Sequence, residues 1–125
     1  MRSIEDVGSD LLHFHEAIQY VGIFKNDDKT ICKYFKSREG ELEAQSEDLA
    51  DGAKSRLYAR LSLSHNLGKP RCSFTQYEKA IRLTFYYGDY MILMKIKPIE
   101  DYNRLINKIG KKLKEQEPFM YEKND

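Results

Sequence analysis

Hydrophobic and polar positions alternate most clearly between Ala80 and Ile96, where two runs of β-branched, aromatic and long aliphatic residues flank Gly88-Asp89. Glycine at the first central position suits a two-residue type II′ turn, which needs φ > 0 there. That turn sets Tyr87 opposite Tyr90. Pairing outward then places Phe85 opposite Ile92, Leu83 opposite Met94 and Ile81 opposite Ile96, all on one face. A slip of one residue would turn all of these side chains to the other face, so the pattern itself pins the register.

The same reading places the other elements. Ser3-Ile4-Glu5-Asp6 has the form of a capping box, and Ile4, Val7 and Leu11 recur at helical spacing, which predicts a helix to about Phe14 weakened by Gly8 and Ser9. Ala17 to Phe24 and Thr30 to Phe35 read as strands joined by the polar cluster Lys25 to Lys29. Gly22 inside the first marks a bulge or a close approach of a helix. Lys36 to Gln45 is charged and reads as a loop. A long middle helix runs from Gln45 or Ser46 to Leu67, stopped by Gly68 with Pro70 beyond. Its apolar face collects Leu49, Ala50, Ala53, Leu57, Leu61, Ser64 and Leu67, three of them small enough to let a sheet approach. Arg71 to Gln76 is a more polar strand with Cys72 and Phe74 on one side. Pro98 suits the first position of a last helix, with Glu100 and Asp101 at its positive end. Its stripe is Ile99, Tyr102, Leu105, Ile106, Ile109 and Leu113, and Lys108, Lys111, Lys112 and Lys114 gather at the negative end.

The element order is therefore α-β-β-α-β-β-β-α, an α+β (α/β) chain with a five-stranded antiparallel sheet sandwiched between helices. Val21–Phe24 and Met91–Met94 are apolar on both faces and belong in the middle of the sheet. Thr30–Phe35 and Arg71–Gln76 carry more polar residues and fit its edges. Residues 1–115 are expected to form one domain and residues 116–125 a mobile tail.

Composition narrows the function classes. The chain has 125 residues with 21 Lys and Arg against 20 Asp and Glu, a formal charge of +1. That balance gives no support to a nucleic-acid binder, which carries a basic excess. Cys32 and Cys72 lie outside any CxxC spacing and suggest a reducing compartment, each acting as a small buried hydrophobe. The amino terminus lacks the apolar core of a signal peptide, and Met91 to Met94 is far short of the ~20 residues that span a bilayer. The expectation is a soluble, cytoplasmic protein.

Candidate chemistry is sparse. His13-Phe14-His15-Glu16 is a metal-like cluster, but zinc needs three or four ligands, and His65 and the other acids are not placed near it by sequence. No G-x-S-x-G, P-loop or H-E-x-x-H occurs, and cysteines on buried strands are ordinary core residues rather than nucleophiles. The expectation is no enzyme, no metal and no cofactor. Arg56 and Arg60 fall beside the Leu49, Leu63 and Leu67 edge of the middle helix. They read equally as snorkelling side chains over the core margin and as arginine anchors of an interface among leucines. Tyr86, Tyr87 and Tyr90 gather at the hairpin tip, as a cross-strand aromatic pair or as a ligand contact.

The element order and the long middle helix stopped at Leu67-Gly68 resemble the roadblock (dynein light chain) family and its profilin-like relatives, and are similar to small archaeal proteins carrying such a domain. The resemblance covers residues 3–114. It implies strands ordered second, first, fifth, fourth, third, with the same two strands at the edges. It also implies a non-enzymatic module, a homodimer or paralogous heterodimer joined through the middle helix and third strand, often contacting a small GTPase. On this chain those elements are Ser46–Leu67 and Arg71–Gln76, and the interface set is Arg56, Arg60, Leu63, Leu67, Arg71 and Phe74. The charged loop Lys36–Gln45 departs from the compact family pattern. The alternative is a small-molecule-sensing domain with a pocket between sheet and helix.

Overall fold

The hairpin pairs in the register its sequence predicts: Tyr87 with Tyr90, Phe85 with Ile92, Leu83 with Met94 and Ile81 with Ile96. Gly88 turns it with φ of +54°, a backbone region that costs glycine nothing. The computed structural model describes residues 3–25, 29–41, 64–68 and 70–116. Its elements are α1 (Ile4–Leu12), β1 (Ile18–Lys25), β2 (Thr30–Phe35), α2 (Ser64–Leu67), β3 (Cys72–Gln76), β4 (Ile81–Tyr87), β5 (Tyr90–Ile96) and α3 (Tyr102–Glu115). The strands form one five-stranded sheet ordered β2-β1-β5-β4-β3, antiparallel throughout. The most apolar strands are central and the two more polar ones are edges, as their composition required.

One face of the sheet meets α1 and α3. Val7 and Leu11 from α1, and Leu105, Ile109 and Leu113 from α3, are buried in one cluster with Val21, Ile23, Leu83, Phe85, Ile92 and Met94. The opposite face carries a second, smaller cluster of Tyr20, Phe24, Met91 and Leu93, with Phe35 and Tyr86 packed against it. The capping box of α1 forms as expected. Ser3 Oγ accepts from the Asp6 amide at 3.2 Å, and Asp6 Oδ2 accepts from the Ser3 amide at 2.9 Å. Gly8, which weakens the isolated helix, lies against the sheet. A Cβ there would sit 2.9 Å from the Tyr34 ring.

The structure departs from the expected elements at four places. α1 ends at Leu12 rather than Phe14: the His13 amide still makes a helical bond to the Ser9 carbonyl, but the Phe14 amide donates to Leu11 at 3.2 Å, one residue short of the helical partner. Gly22 is not itself the site of a bulge, and among the described residues what lies over it is a side chain of its own strand. The Tyr20 ring folds back along its own strand over Gly22, and a Cβ there would collide with the ring and lie 2.9 Å from Phe24 Cε2. The register irregularities fall on either side, between Ile18 and Tyr20 and between Ile23 and Phe24. α3 begins at Tyr102, not Pro98. Proline holds the preceding residue extended, and the Lys97 amide continues the sheet by donating to the Ala17 carbonyl at 2.9 Å. Within the expected loop after β2, residues 38–41 make one helical turn, with Ser37 Oγ accepting from the Gly40 amide at 3.0 Å. Of the middle helix only α2 lies within the described residues. Gly68 follows it with φ of +81°, in keeping with the predicted stop. The expected tail at 116–125 lies outside the described residues except for Gln116.

Candidate functional site

Backbone polarity decides what each edge of the sheet offers. The Tyr77 amide donates to the Ala80 carbonyl at 2.8 Å, and the Tyr86 amide donates to the Arg71 carbonyl at 2.9 Å. With Ser73 opposite Thr84 and Thr75 opposite Arg82, the odd-numbered residues of this segment bond to β4. Cys72, Phe74 and Gln76 therefore direct both N–H and C=O away from β4, to the outer edge. Edge strands are ordinarily guarded by lysine, proline, bulges or a covering element. From Cys72 to Gln76 there is no charge, no proline and no register shift.

The other edge contrasts with it. β2 skips Ile31 in its pairing with β1, which places a bulge there, and Lys33 occupies an outward-bonding position with its ammonium 5.7 Å from the Phe24 ring centroid. Tyr34 next to it is tied to α1, its hydroxyl donating to the Glu5 carbonyl at 3.2 Å. Among the described residues, β2 is a protected edge and no guard of this kind stands on β3.

Apolar side chains are exposed on β3 and near it in sequence. Phe74 is 47% exposed although its ring meets Tyr102 of α3 at 5.9 Å, Tyr77 is 49% exposed, and Leu67 at the end of α2 is 76% exposed. Arg71 is exposed where β3 begins. Of the expected interface set, Phe74 lies on this strand, Arg71 directly precedes it, Leu67 ends α2, and Arg56, Arg60 and Leu63 lie outside the described residues. Tyr77 and the uncharged run itself were missed in the sequence. An edge strand without a guarding charge was the signal available.

The hairpin tyrosines do not make one surface. Tyr87 and Tyr90 pack on the α1/α3 face, Tyr90 being buried, whereas Tyr86 packs on the opposite face and its hydroxyl lies 3.3 Å from Ser73 Oγ. Strand alternation separates neighbours that sequence adjacency had grouped. A groove of about 220 Å³ opens instead at the other end of the sheet, lined by Tyr20 and by Glu16, Lys36, Glu39, Lys95 and Lys97. Small-molecule pockets span roughly 300–1,000 Å³ and are mostly apolar. This one is smaller and its charges are interleaved. Burial lowers the Lys36 pKa while Glu16 opposes that shift, and the Lys36 ammonium donates to the His15 carbonyl at 2.7 Å.

The cysteines and histidines singled out in the sequence are held apart. Cys32 and Cys72 sit on opposite edge strands, four spacings or about 19 Å apart, too far for a bridge within the chain. Burial pushes both thiols up to about 11, so they are poor nucleophiles near neutrality. His13 and His15 serve the α1–β1 junction: His13 Nδ1 lies 2.9 Å from the Ser9 carbonyl, and His15 Nδ1 accepts from the Ala17 amide at 3.0 Å. Among the described residues no group of three His, Cys, Asp or Glu converges to hold a metal ion. None of the described helices is long and apolar enough to cross a membrane.

No family model and no curated protein matches the sequence. Solved structures do match the fold. A Roadblock/LC7 domain from Streptomyces avermitilis superposes with a TM-score of 0.70 at 11% identity, over 94% of this chain and 98% of that one. Myxococcus xanthus MglB superposes with a TM-score of 0.69 at 14% identity, over 100% and 97%. The fold is the Roadblock/LC7 fold. A third structure with this fold, described as MglB with tetrameric arrangement, superposes with a TM-score of 0.60 at 13% identity, over 91% and 87%.

Proposed function

We propose that this protein is a non-enzymatic assembly module whose working surface is the outer edge of β3. The observation that carries the reading is the contrast between edges: β2 is bulged and carries Lys33 at an outward-bonding position, while β3 offers three alternate outward-bonding residues, Cys72, Phe74 and Gln76, in a run with no charge or proline. An edge of this kind binds an added strand by main-chain hydrogen bonds. Exposed Phe74 and Tyr77 supply apolar surface beside it, and aromatic residues are enriched at interface cores. The occupant we favour is a second copy of the chain, in keeping with the pairing through middle helix and third strand that the roadblock resemblance implies. Arg56, Arg60 and Leu63 of the middle helix would extend that interface. A small GTPase is the further partner class the resemblance implies, and nucleotide-dependent recovery of one in affinity purification would support it.

The decisive measurement is molar mass by light scattering after size exclusion. The wild type is expected at twice the chain mass. Phe74→Lys places a charge on the open edge without touching a bond to β4, and is expected to return the mass to one chain with the fold intact by circular dichroism. A monomeric wild type, or a Phe74→Lys variant that keeps the wild-type mass, would overturn the reading.

A further inference from the structure

We propose that the outer face of α3 is a docking surface for an anionic phospholipid membrane, which holds the protein peripherally by charge alone. The inference goes beyond the assembly reading and makes no use of the β3 edge. α3 turns Leu105, Ile109 and Leu113 into the core. At about 100° per residue, Arg104, Lys108 and Lys111 fall within about 60° of one another, on the side away from Leu113, and all three are exposed. Lys112 and Lys114 flank this stripe on either side. Glu100 and Asp101 lie just before the helix and Glu115 closes it, so the carboxylates stand at its ends and the five cations between them. The charge of +1 for the whole chain conceals this segregation.

The helix dipole accounts for only part of the stripe. Lys112 and Lys114 lie in the last turn, where a cation is favourable, but the effect fades beyond one turn. Lys108 and Lys111 lie before it. Arg104 sits in the first turn, at the positive end, where a cation is unfavourable. Arg104 and Lys108, Lys108 and Lys111, Lys108 and Lys112, and Lys111 and Lys114 are like-charge neighbours three or four residues apart, a spacing that weakens a helix. A negatively charged surface relieves that repulsion.

The chemistry of the stripe selects among anionic partners. Four of its five cations are lysines, compact charges without the fork that pairs bidentately with one fixed carboxylate or phosphate. No aromatic or aliphatic side chain of Tyr102–Glu115 is exposed, and the remaining exposed residues are Asn103, Asn107 and Glu115. Protein interfaces are centred on aromatic anchors and depleted in lysine, and single-stranded nucleic acid is held by aromatic stacking. A headgroup layer needs neither. Clusters of about four to eight Lys or Arg on an amphipathic helix suit phosphatidylserine-rich surfaces, and this stripe meets several headgroups along about 15 Å of helix. α1, on the same side of the sheet, carries Glu5, Asp6 and Asp10 and no cation. The docked molecule therefore rests tilted on α3 rather than flat on both helices.

Co-sedimentation with vesicles tests this. The full chain is expected to pellet at low salt with phosphatidylcholine vesicles containing about one-third phosphatidylserine, and not with phosphatidylcholine alone. Salt at about 1 M, where the Debye length is about 3 Å, is expected to release it. Each cation at the surface adds on the order of fivefold in partitioning, so Lys108→Gln/Lys111→Gln is expected to bind on the order of twentyfold more weakly. Arg104→Gln/Lys114→Gln is a second pair with the same expectation should the first fail to fold by circular dichroism. Lys33→Gln/Arg38→Gln removes equal charge from exposed positions elsewhere and is expected to change binding by less than about twofold. No binding to the anionic vesicles, equal binding to phosphatidylcholine alone, or equal losses in stripe and control pairs would each overturn the proposal. Retention by duplex DNA or polyglutamate at salt that already frees the vesicles would assign the stripe to a nucleic acid or an acidic protein, and overturn it too.

Discussion

Tyr20 covers Gly22 with its own ring, and this pair shows how one residue's freedom depends on another's position. Gly22→Ala is expected to destabilise by about 1–3 kcal/mol, the range for overpacking a filled site. Urea unfolding of Gly22→Ala, Tyr20→Ala and the double variant checks it. The cost of the alanine at 22 should fall once the Tyr20 ring is gone, with the contact to Phe24 remaining, and fully additive costs would refute the Tyr20 contact. The thiols make a second residue-scale prediction. Both have pKa values pushed up to about 11 by burial, above the ordinary value of about 8.5, so the native state holds these protons more tightly than the unfolded chain. Their contribution to stability is present below about pH 8.5 and is lost as pH rises toward 11. The urea midpoint should fall across that window, and Cys32→Ala/Cys72→Ala should flatten the thiol part of the fall. Cys32 and Cys72 were legible as strand residues in the sequence. Their separation across the sheet was not, because sequence distance says nothing about strand order.

Elements were most legible where a local rule and a periodic pattern agreed. The β4–β5 hairpin had both, a glycine turn and strict alternation, and its pairing followed residue for residue. Gly88→Ala should cost about 1–2 kcal/mol, the penalty for a side chain in the left-handed region, read as a lower melting midpoint with unchanged sheet content. The stripe of α3 was likewise plain, and Leu113→Ala should cost about 2–5 kcal/mol because its site is fully enclosed. The start of α3 was not plain. Pro98 is permitted at a first helical turn and equally in extended chain, and the bond from Lys97 to Ala17, which is remote in sequence, chose the latter. Gly8 illustrates the same conflict from the other side. Propensity counts it against α1, while packing against Tyr34 requires it.

At the scale of the molecule, one edge of the five-stranded sheet is guarded and the other carries no guard among the described residues, and this asymmetry carries the proposed assembly. Lys33→Glu on β2 should leave the molar mass unchanged, in contrast to Phe74→Lys on β3, when both are measured by light scattering. Equal effects at the two edges would remove the asymmetry as an explanation. The sequence alone determined the element order, the register of one hairpin, and which strands are central. These follow from turn chemistry, alternation and total apolarity, all of which are local or compositional. It also placed Arg71 and Phe74 on an edge strand. Tertiary structure alone decided which backbone groups of that strand face outward, because the parity of hydrogen bonding is set by the turn from Tyr77 to Ala80 and by the pairing of Arg71 with Tyr86. It also decided that Glu16, Lys36, Glu39, Lys95 and Lys97, which are far apart in sequence, line one groove, since that depends on strand order and not on any local pattern.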